Sequence, residues 1–256
     1  MILRVVHDGP GTGRRNMEAD AALAGALDRG EISPTLRLYG WSPPALSVGY
    51  HQPDDDFDRH KLKAAGIDLV RRPTGGRAIL HWHELTYCVV IPLSAGSPRD
   101  LYRRVNEALL CGIRGMGIPA SMGGSDEGLR EAYSSAGGIV CFSRSVRSEI
   151  HVDGKKLVGS AQRRIGGVIL QHGSFLLGRQ HRRIVEFING GAGGKLLAGL
   201  EAGTTEAETI LGRPVPFGEA AASIAAPFVA RFQSTGAPAP GGESAAPGKS
   251  MSFQES

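Results

Sequence analysis

Hydrophobic and polar positions along the chain alternate between a strand-like and a helix-like period. Short apolar runs bounded by turn residues predict strands over residues 2–7, 35–39, 46–50, 68–72, 85–91, 148–152, 156–160 and 168–177. Helical spacing predicts helices over residues 16–28, 54–65 and 98–116, and a largely helical stretch from Gln180 to about Phe232. Asn16 is the expected N-cap of the first helix. Asp153-Gly154 is a strong hairpin signal between two of the strands.

This order of elements indicates the fold class. Strands that pair through hairpins, with helices between and after them, predict an α/β (α+β) fold. We expect a mixed, largely antiparallel sheet flanked by helices. A regular βαβ succession, and with it a doubly wound parallel sheet, is not expected.

Composition sets the boundaries of the domain. The chain has 256 residues, of which 41% are hydrophobic and 21% charged, the balance of a soluble globular protein. We expect one folded domain over residues 1–233. Residues 234–256 are dominated by Ser, Gly, Ala and Pro and predict a disordered tail.

Several classes of protein are disfavoured. The longest apolar stretch, residues 87–93, is far shorter than the roughly 20 residues of a membrane span. No secretory leader is visible, and three scattered cysteines make no disulfide framework. We therefore expect a cytoplasmic, reduced protein without a membrane partner. A net charge of +4 and 6% aromatic residues also disfavour a nucleic-acid partner.

A glycine turn flanked by arginines is the first candidate for chemistry. Residues 70–77 leave a predicted strand, turn on two glycines and lead to a histidine. Glycines let backbone N–H groups approach a ligand, and arginines recognise anions. The alternative is a surface hairpin with incidental arginines. The candidate substrate-binding residues are Arg71, Arg72, Thr74, Gly75, Gly76, Arg77 and His81.

A lysine beside small residues is the second candidate. Lys156 precedes a Gly-Ser-Ala stretch, so its ammonium group can lie beside exposed backbone and hold a carbonyl or phosphate oxygen. The strand over 168–177 has a polar interruption, as if it bordered the same pocket. These segments add Gly159, Ser160, Ala161, His172 and Gly173 to the substrate-binding candidates. Eight histidines without an HExxH pattern or cysteine partners predict no metal site.

Together with residues 39–49, Tyr-Gly-Trp-Ser-Pro-Pro-Ala-Leu-Ser-Val-Gly, these motifs resemble the lipoate–protein ligase and octanoyltransferase family. The resemblance runs from about Leu3 to Leu177. It implies the fold of biotin and lipoate protein ligases and a catalytic domain over residues 1–233. It also implies attachment of an octanoyl or lipoyl group to a lysine of a partner protein. The partner is the glycine-cleavage H protein or a lipoyl domain of a 2-oxoacid dehydrogenase.

Cys141 and the glycine turn favour the Gram-positive type of octanoyltransferase. Cys141, in Ile-Val-Cys-Phe, resembles the position of that enzyme's nucleophilic cysteine. The turn reads Gly75-Gly76-Arg77, where many ligases carry a third glycine. One departure is that Ser143-Arg144 follow, where relatives have Pro-Ser. The resemblance implies Cys141 and Lys156 as catalytic residues, acyl carrier protein as octanoyl donor, and no required cofactor.

Three alternatives stay open. The first is an ATP-dependent lipoate–protein ligase that forms an acyl-adenylate with ATP and Mg. The second is a carrier-binding protein without activity, and residues 179–183 are a possible basic docking patch in any of these cases. The third is that Cys141 is a buried structural cysteine, as we expect of Cys88 and Cys111.

The transferase chemistry is consistent with these residue types. A thioester donor is already activated, so no ATP is needed. A thiolate is a strong nucleophile and also a good leaving group. A neighbouring Lys156 ammonium group would lower the pKa of the thiol and stabilise the oxyanion. The apolar strands 85–91 and 168–177 are candidates for the octanoyl slot.

Overall fold

The computed structural model describes residues 2–123, 149–190 and 193–233. Its main sheet has seven strands in the order β1-β2-β6-β10-β9-β8-β7. These strands are β1 Arg4–Gly11, β2 Thr35–Trp41, β6 Glu84–Pro92, β7 Ser121–Met122, β8 Ile150–Val152, β9 Lys155–Ile165 and β10 Val168–Leu176. A smaller sheet has the order β4-β3-β5, with β3 Ala45–Val48, β4 Asp68–Arg71 and β5 Ile79–His81.

In the main sheet, β1 and β2 run parallel and the other pairings are antiparallel. The helices are α1 Gly13–Asp28, α2 Arg59–Ala64, α3 Pro98–Gly115, α4 Gly193–Gly203, α5 Ala207–Leu211 and α6 Phe217–Gln233, with 3-10 helices at Leu93–Ala95 and Arg179–Phe187. The expected mixed, largely antiparallel sheet flanked by helices is therefore confirmed.

The first helix begins earlier than predicted, and Asn16 is not its cap. The hydroxyl of Thr12 accepts a hydrogen bond from the Arg15 amide and caps α1. Asn16 lies inside the helix, fully buried, and its amide donates to the carbonyls of Gly11 and Gly40. The predicted helix over 54–65 is also shorter, because Asp58 caps α2 by accepting from the Lys61 amide.

The two faces of the main sheet have separate cores. On one face α3 and α6 bury Leu38, Tyr87 and Phe228 together. On the other face α1 packs with Met17 against Trp41. The smaller sheet has a third core. Burial of these apolar surfaces is the main favourable contribution to the stability of the fold.

The hairpin between β8 and β9 decides which way Lys156 points. Asp153 and Gly154 both have positive φ, 49° and 76°, as a tight hairpin turn with right-handed strand twist requires. Ile150 then pairs with Val158, but His151 pairs with Lys156, so Leu157 is an extra residue in β9.

The extra residue is a β-bulge that reverses the alternation of side chains. In an unbroken strand Lys156, Val158 and Ser160 would share one face. Leu157 and Val158 instead both join the core beneath α3, and Lys156 follows His151 onto the opposite face. The same face of β9 also carries Gly159, whose partner in β10 is Ser174.

Within residues 2–123, 149–190 and 193–233, no helix has the length and apolar character needed to cross a bilayer. The predicted tail, residues 234–256, and Cys141 lie outside the described residues. The single domain over residues 1–233 stays a prediction.

Candidate active site

A pocket lies against the main sheet, between α1 and the smaller sheet. The sequence-predicted residues in its wall are Arg72, His81, Gly159, Ser160, Ala161, His172 and Gly173. The wall residues that the sequence did not indicate are Met17, Tyr39, Trp41, Ile79, Thr86 and Ser174. Two sequence motifs far apart in the chain therefore meet in one cavity.

A glycine in β10 lets β10 and β9 pair closely at the pocket. Gly173 pairs with Ser160, and a Cβ atom on Gly173 would lie only 2.4 Å from the Gly159 carbonyl oxygen. Only glycine fits there without moving the backbone. The Ser160 hydroxyl is 2.7 Å from the Tyr87 hydroxyl, and this contact joins β9 to β6.

His81 is held rigidly in the wall. Its Nε2 lies 2.7 Å from Ser47 Oγ and its Nδ1 lies 2.8 Å from Glu84 Oε1. The ring stacks on Trp41 with centroids 4.1 Å apart. Burial alone would raise the pKa of Glu84. The charge interaction with His81, together with hydrogen bonds from His81, Thr86 and Ser174, instead lowers this pKa below its ordinary value.

His172 connects the pocket to the glycine turn. Its Nδ1 lies 3.1 Å from Asp20 Oδ2, and its Nε2 lies 2.5 Å from Thr74 Oγ1. Burial lowers the pKa of His172 although Asp20 opposes the shift, so the ring is neutral at neutral pH. A neutral ring that donates its Nδ1 proton to the carboxylate must accept the Thr74 hydroxyl proton at Nε2. Thr74 is therefore not part of the pocket wall, but its hydroxyl orients the ring of His172, which is.

Asp20 is the centre of a wider buried network. Its two oxygens also accept hydrogen bonds from Arg37 Nη1 at 2.8 Å and Tyr39 Oη at 2.9 Å. Burial, followed by the Asp20 charge, raises the pKa of Tyr39 well above its ordinary value, so the hydroxyl stays protonated and donates. Arg37 is 2% exposed and has a second carboxylate partner in Asp8. This network fixes one side of the pocket from within α1.

The paired arginines bind backbone carbonyls in this structure. Arg72 donates to the carbonyls of Gly75, Arg77 and Ser47, at 2.7–3.2 Å. Arg71 donates to three carbonyls in residues 49–52. Both side chains therefore tie the glycine turn to the loop after β3. Anion recognition by Arg71 and Arg72 stays a prediction.

The glycine turn and the loop after β3 also touch directly. A Cβ atom on Gly49 would lie 2.0 Å from the Gly76 carbonyl oxygen, so only glycine fits at position 49 without a backbone shift. Gly76 has a positive φ of 94°. Gly75 and Gly76 are exposed, and Arg77 is half-buried. These three residues and Arg71 are not part of the pocket wall described above.

Lys156 is buried and paired with a residue that sequence reasoning missed. Its Nζ lies 2.6 Å from Glu149 Oε1, and the two side chains are 4% and 2% exposed. Lys155 is exposed and donates to the Glu201 carbonyl, so the two adjacent lysines differ as expected. The predicted hairpin could have indicated Glu149, because alternation along its first strand places Glu149 on the same face as His151.

The cysteines differ from expectation in one case. Cys88 is buried, and burial followed by the nearby Asp20 charge raises the pKa of its thiol, so it is unreactive as predicted. Cys111 was expected in the core but is exposed on α3. The buried stripe of α3 follows Leu109 and Ile113, and Cys111 lies between them on the helix surface.

The basic stretch 179–183 is largely neutralised by neighbouring carboxylates. Arg182 lies 2.5 Å from the buried Glu206, and Arg183 pairs with Glu186 at 2.8 Å. His181 is buried. These pairs weaken the expectation that this stretch is a basic docking patch. Among the residues that the structure describes, no group of three or more His, Cys, Asp or Glu could hold a metal ion.

Comparison with known proteins identifies the family. Residues 12–229 match the lipoyl protein ligase A/B catalytic domain. Octanoyltransferase LipM of Symbiobacterium thermophilum is 42% identical over 231 residues, which cover 88% of this chain and 84% of that protein. The Kyrpidia tusciae octanoyltransferase LipM is 48% identical, with 68% and 65% of the two chains covered.

Solved structures agree on the fold. Lipoate-protein ligase A bound with ATP has a TM-score of 0.72 at 21% identity, with 91% of this chain and 86% of that chain covered. A bi-partite lipoate protein ligase from Thermoplasma acidophilum has a TM-score of 0.71 at 19% identity, with coverages of 91% and 84%. Because the family model matches most of its length, this chain belongs to the lipoyl protein ligase A/B catalytic domain family.

Proposed function

We propose that this chain is an octanoyltransferase of protein lipoylation. In this role it moves octanoyl from acyl carrier protein to a lysine of a lipoyl domain or of the glycine-cleavage H protein. The observation that carries the proposal is the 42–48% identity to proteins named octanoyltransferase LipM. The pocket supports it, because Met17, Trp41 and Ile79 give part of its wall an apolar surface suited to a hydrocarbon chain.

The proposed reaction has two acyl transfers. In the first, the Cys141 thiolate attacks the carrier thioester carbonyl, forms a new thioester and expels the carrier thiolate. In the second, the neutral amine of the acceptor lysine attacks this acyl-cysteine, forms the amide and releases the Cys141 thiolate. The nitrogen loses one proton in the second transfer, and that proton restores a thiol. No ATP or metal is required in either transfer.

Lys156 is the residue proposed to stabilise both oxyanions. Each attack places a negative charge on the former carbonyl oxygen, and an ammonium group aimed at this oxygen lowers the barrier. The β-bulge at Leu157 supports this role, because it brings Lys156 to the face of β9 that carries Gly159. Removal of one such donor typically costs about 10²–10³ in rate.

A mass measurement tests the proposal directly. Incubation with octanoyl–acyl carrier protein, without ATP, is expected to add one octanoyl group to Cys141 and then to the acceptor lysine. Cys141→Ala should abolish transfer. Cys111→Ala is the matched control, because Cys111 is a free thiol that is exposed on α3.

Other outcomes would replace the proposal. Full transfer by Cys141→Ala would contradict the acyl-cysteine route. Pyrophosphate release from ATP and free octanoate, with Cys141→Ala fully active, would identify a ligase. Stable binding of the carrier without any acyl transfer would indicate a carrier-binding protein.

A further inference from the structure

A buried ion pair connects Glu149 to Lys156. The carboxylate and the ammonium group are 2.6 Å apart, and both side chains are almost fully buried. Desolvation of two charges costs several kcal/mol, and a well-packed apolar pair would often stabilise a fold as well or better. Stability alone is therefore a weak explanation for an ion pair at this point of the sheet.

Glu149 is anchored through its own backbone. Its carbonyl oxygen accepts hydrogen bonds from the Gly123 amide and from His151 Nδ1, both at 3.0 Å. These bonds fix the residue just ahead of β8 and beside the start of the hairpin. The Glu149 carboxylate consequently has a defined position relative to the bulged strand that carries Lys156.

The neighbouring histidine does not replace Lys156 as the cation. Burial lowers the pKa of His151, and the charge of Lys156 lowers it further, against the opposing effect of Glu149. His151 is therefore neutral at neutral pH. The charge of the carboxylate is balanced by the ammonium group that it contacts at 2.6 Å.

We propose that Glu149 is a positioning residue for octanoyl transfer, which holds the Lys156 ammonium group in place on the face of β9 that carries Gly159. The proposal rests on the function proposed above. A lysine ammonium group lies at the end of a flexible four-carbon chain, whereas an oxyanion donor is effective when its position is fixed before the reaction. The carboxylate contact at 2.6 Å supplies this constraint for Lys156. Glu149 would thus act on the reaction only through Lys156.

The test compares Glu149→Gln with wild type in two measurements. Steady-state transfer from octanoyl–acyl carrier protein should show kcat lowered about tenfold or more, because the loss approaches that of an oxyanion donor. KM for the carrier should change less than about twofold, because loss of an interaction made only in the transition state lowers kcat and kcat/KM equally. Glu186→Gln is the matched control, because it removes an exposed partner of Arg183 and should leave kcat unchanged.

The second measurement asks whether Glu149 acts through Lys156. Glu149→Gln, Lys156→Met and the double variant are compared in the same transfer assay. Glu149→Gln should lower kcat about tenfold or more when Lys156 is present, but less than about twofold in the Lys156→Met background, because residues that act as a unit are not additive.

The outcomes separate the two proposals. Unchanged kcat in a folded Glu149→Gln variant, or an equal loss of kcat with and without Lys156, overturns the role of Glu149. If Glu149→Gln does not fold, Glu149→Asp carries the test, because it keeps the charge but withdraws it by one methylene. It must lower kcat when Lys156 is present and leave kcat of Lys156→Met unchanged. Absence of transfer by wild type would instead overturn the proposed function, and with it any role of Glu149 in transfer.

Discussion

The replacement Asp20→Asn tests the buried network behind the pocket. Asp20 is fully buried and accepts hydrogen bonds from Arg37, Tyr39 and His172. Asparagine keeps the shape and one acceptor oxygen but removes the charge. The Arg37 guanidinium, 2% exposed, then keeps Asp8 as its one carboxylate partner among the described residues.

The magnitude follows from the burial of the pair. Breaking a buried ion pair by removing one partner costs about 3–5 kcal/mol. For a domain of this size each kcal/mol lowers Tm by roughly 2–4 °C. We therefore expect Asp20→Asn to lower the free energy of unfolding in urea by at least about 3 kcal/mol, and Tm by roughly 10 °C.

The same change should also affect substrate binding. The asparagine amide can donate to His172 Nδ1, which favours the tautomer that carries its proton on Nε2. Nε2 would then donate to Thr74, and the Thr74 hydroxyl would turn away from the ring. Because His172 lies in the pocket wall, we expect a raised KM for the octanoyl donor, measured well below the Tm of the variant.

Asp8→Asn is the matched control for this prediction. Asp8 also pairs with Arg37, but its side chain is 24% exposed and it has no contact with His172 among the described hydrogen bonds. A partly solvated pair contributes only about 1 kcal/mol or less. Equal losses of stability in the two variants, or an unchanged KM in Asp20→Asn, would refute the reasoning.

Two further predictions concern the glycine turn and a buried histidine. Gly49→Ala should destabilise by about 1–3 kcal/mol and lower transfer activity, because its Cβ would overlap the Gly76 carbonyl; Gly115→Ala, with open space at its Cβ, should be neutral or slightly stabilising in the same urea titration. Burial lowers the pKa of His181 from 6.5 to about 4. The unfolded state therefore takes up the proton first, and stability that is fully present above pH 6.5 should fall by about 3 kcal/mol as the pH drops to 4. The urea midpoint of His181→Gln should lack this part of the pH dependence, and an equal slope in both proteins would contradict the assignment.

Local patterns predicted most of the elements because apolar period and turn residues are local properties. The Asp153-Gly154 hairpin and the amphipathic helix α3 formed where the sequence indicated. The start of α1 was missed because Thr12 and Asn16 are both good capping residues. Asn16 is drawn into the core by Arg37, whose Nη2 donates to its side-chain oxygen at 2.7 Å. That contact crosses from α1 to β2 and has no signature in either segment alone.

The pocket wall was predicted only in part, because contacts between distant segments have no local signature. Small residues and histidines in the quoted motifs identified seven wall residues. Tyr39 and Trp41 belong to a motif that supported the family resemblance, but nothing in that motif indicates that their rings face a cavity. The contact between Asp20 and His172 joins α1 to β10, across 152 positions of the chain. Such contacts follow from sheet order, which local periodicity does not determine.

The orientation of Lys156 depends on a single extra residue in β9. Strict alternation from Ser160 back along the strand would place Lys156 on the face of Val158, beneath α3, where an ammonium group would be buried among apolar side chains. The bulge at Leu157 avoids that cost and brings Lys156 to Glu149. Both outcomes fit the same sequence of apolar and polar letters, because a bulge needs no particular residue type. What selects the bulge is the burial of Leu157 and Val158 together with the charge pair, so the catalytic geometry proposed for this chain is a consequence of packing in the whole sheet.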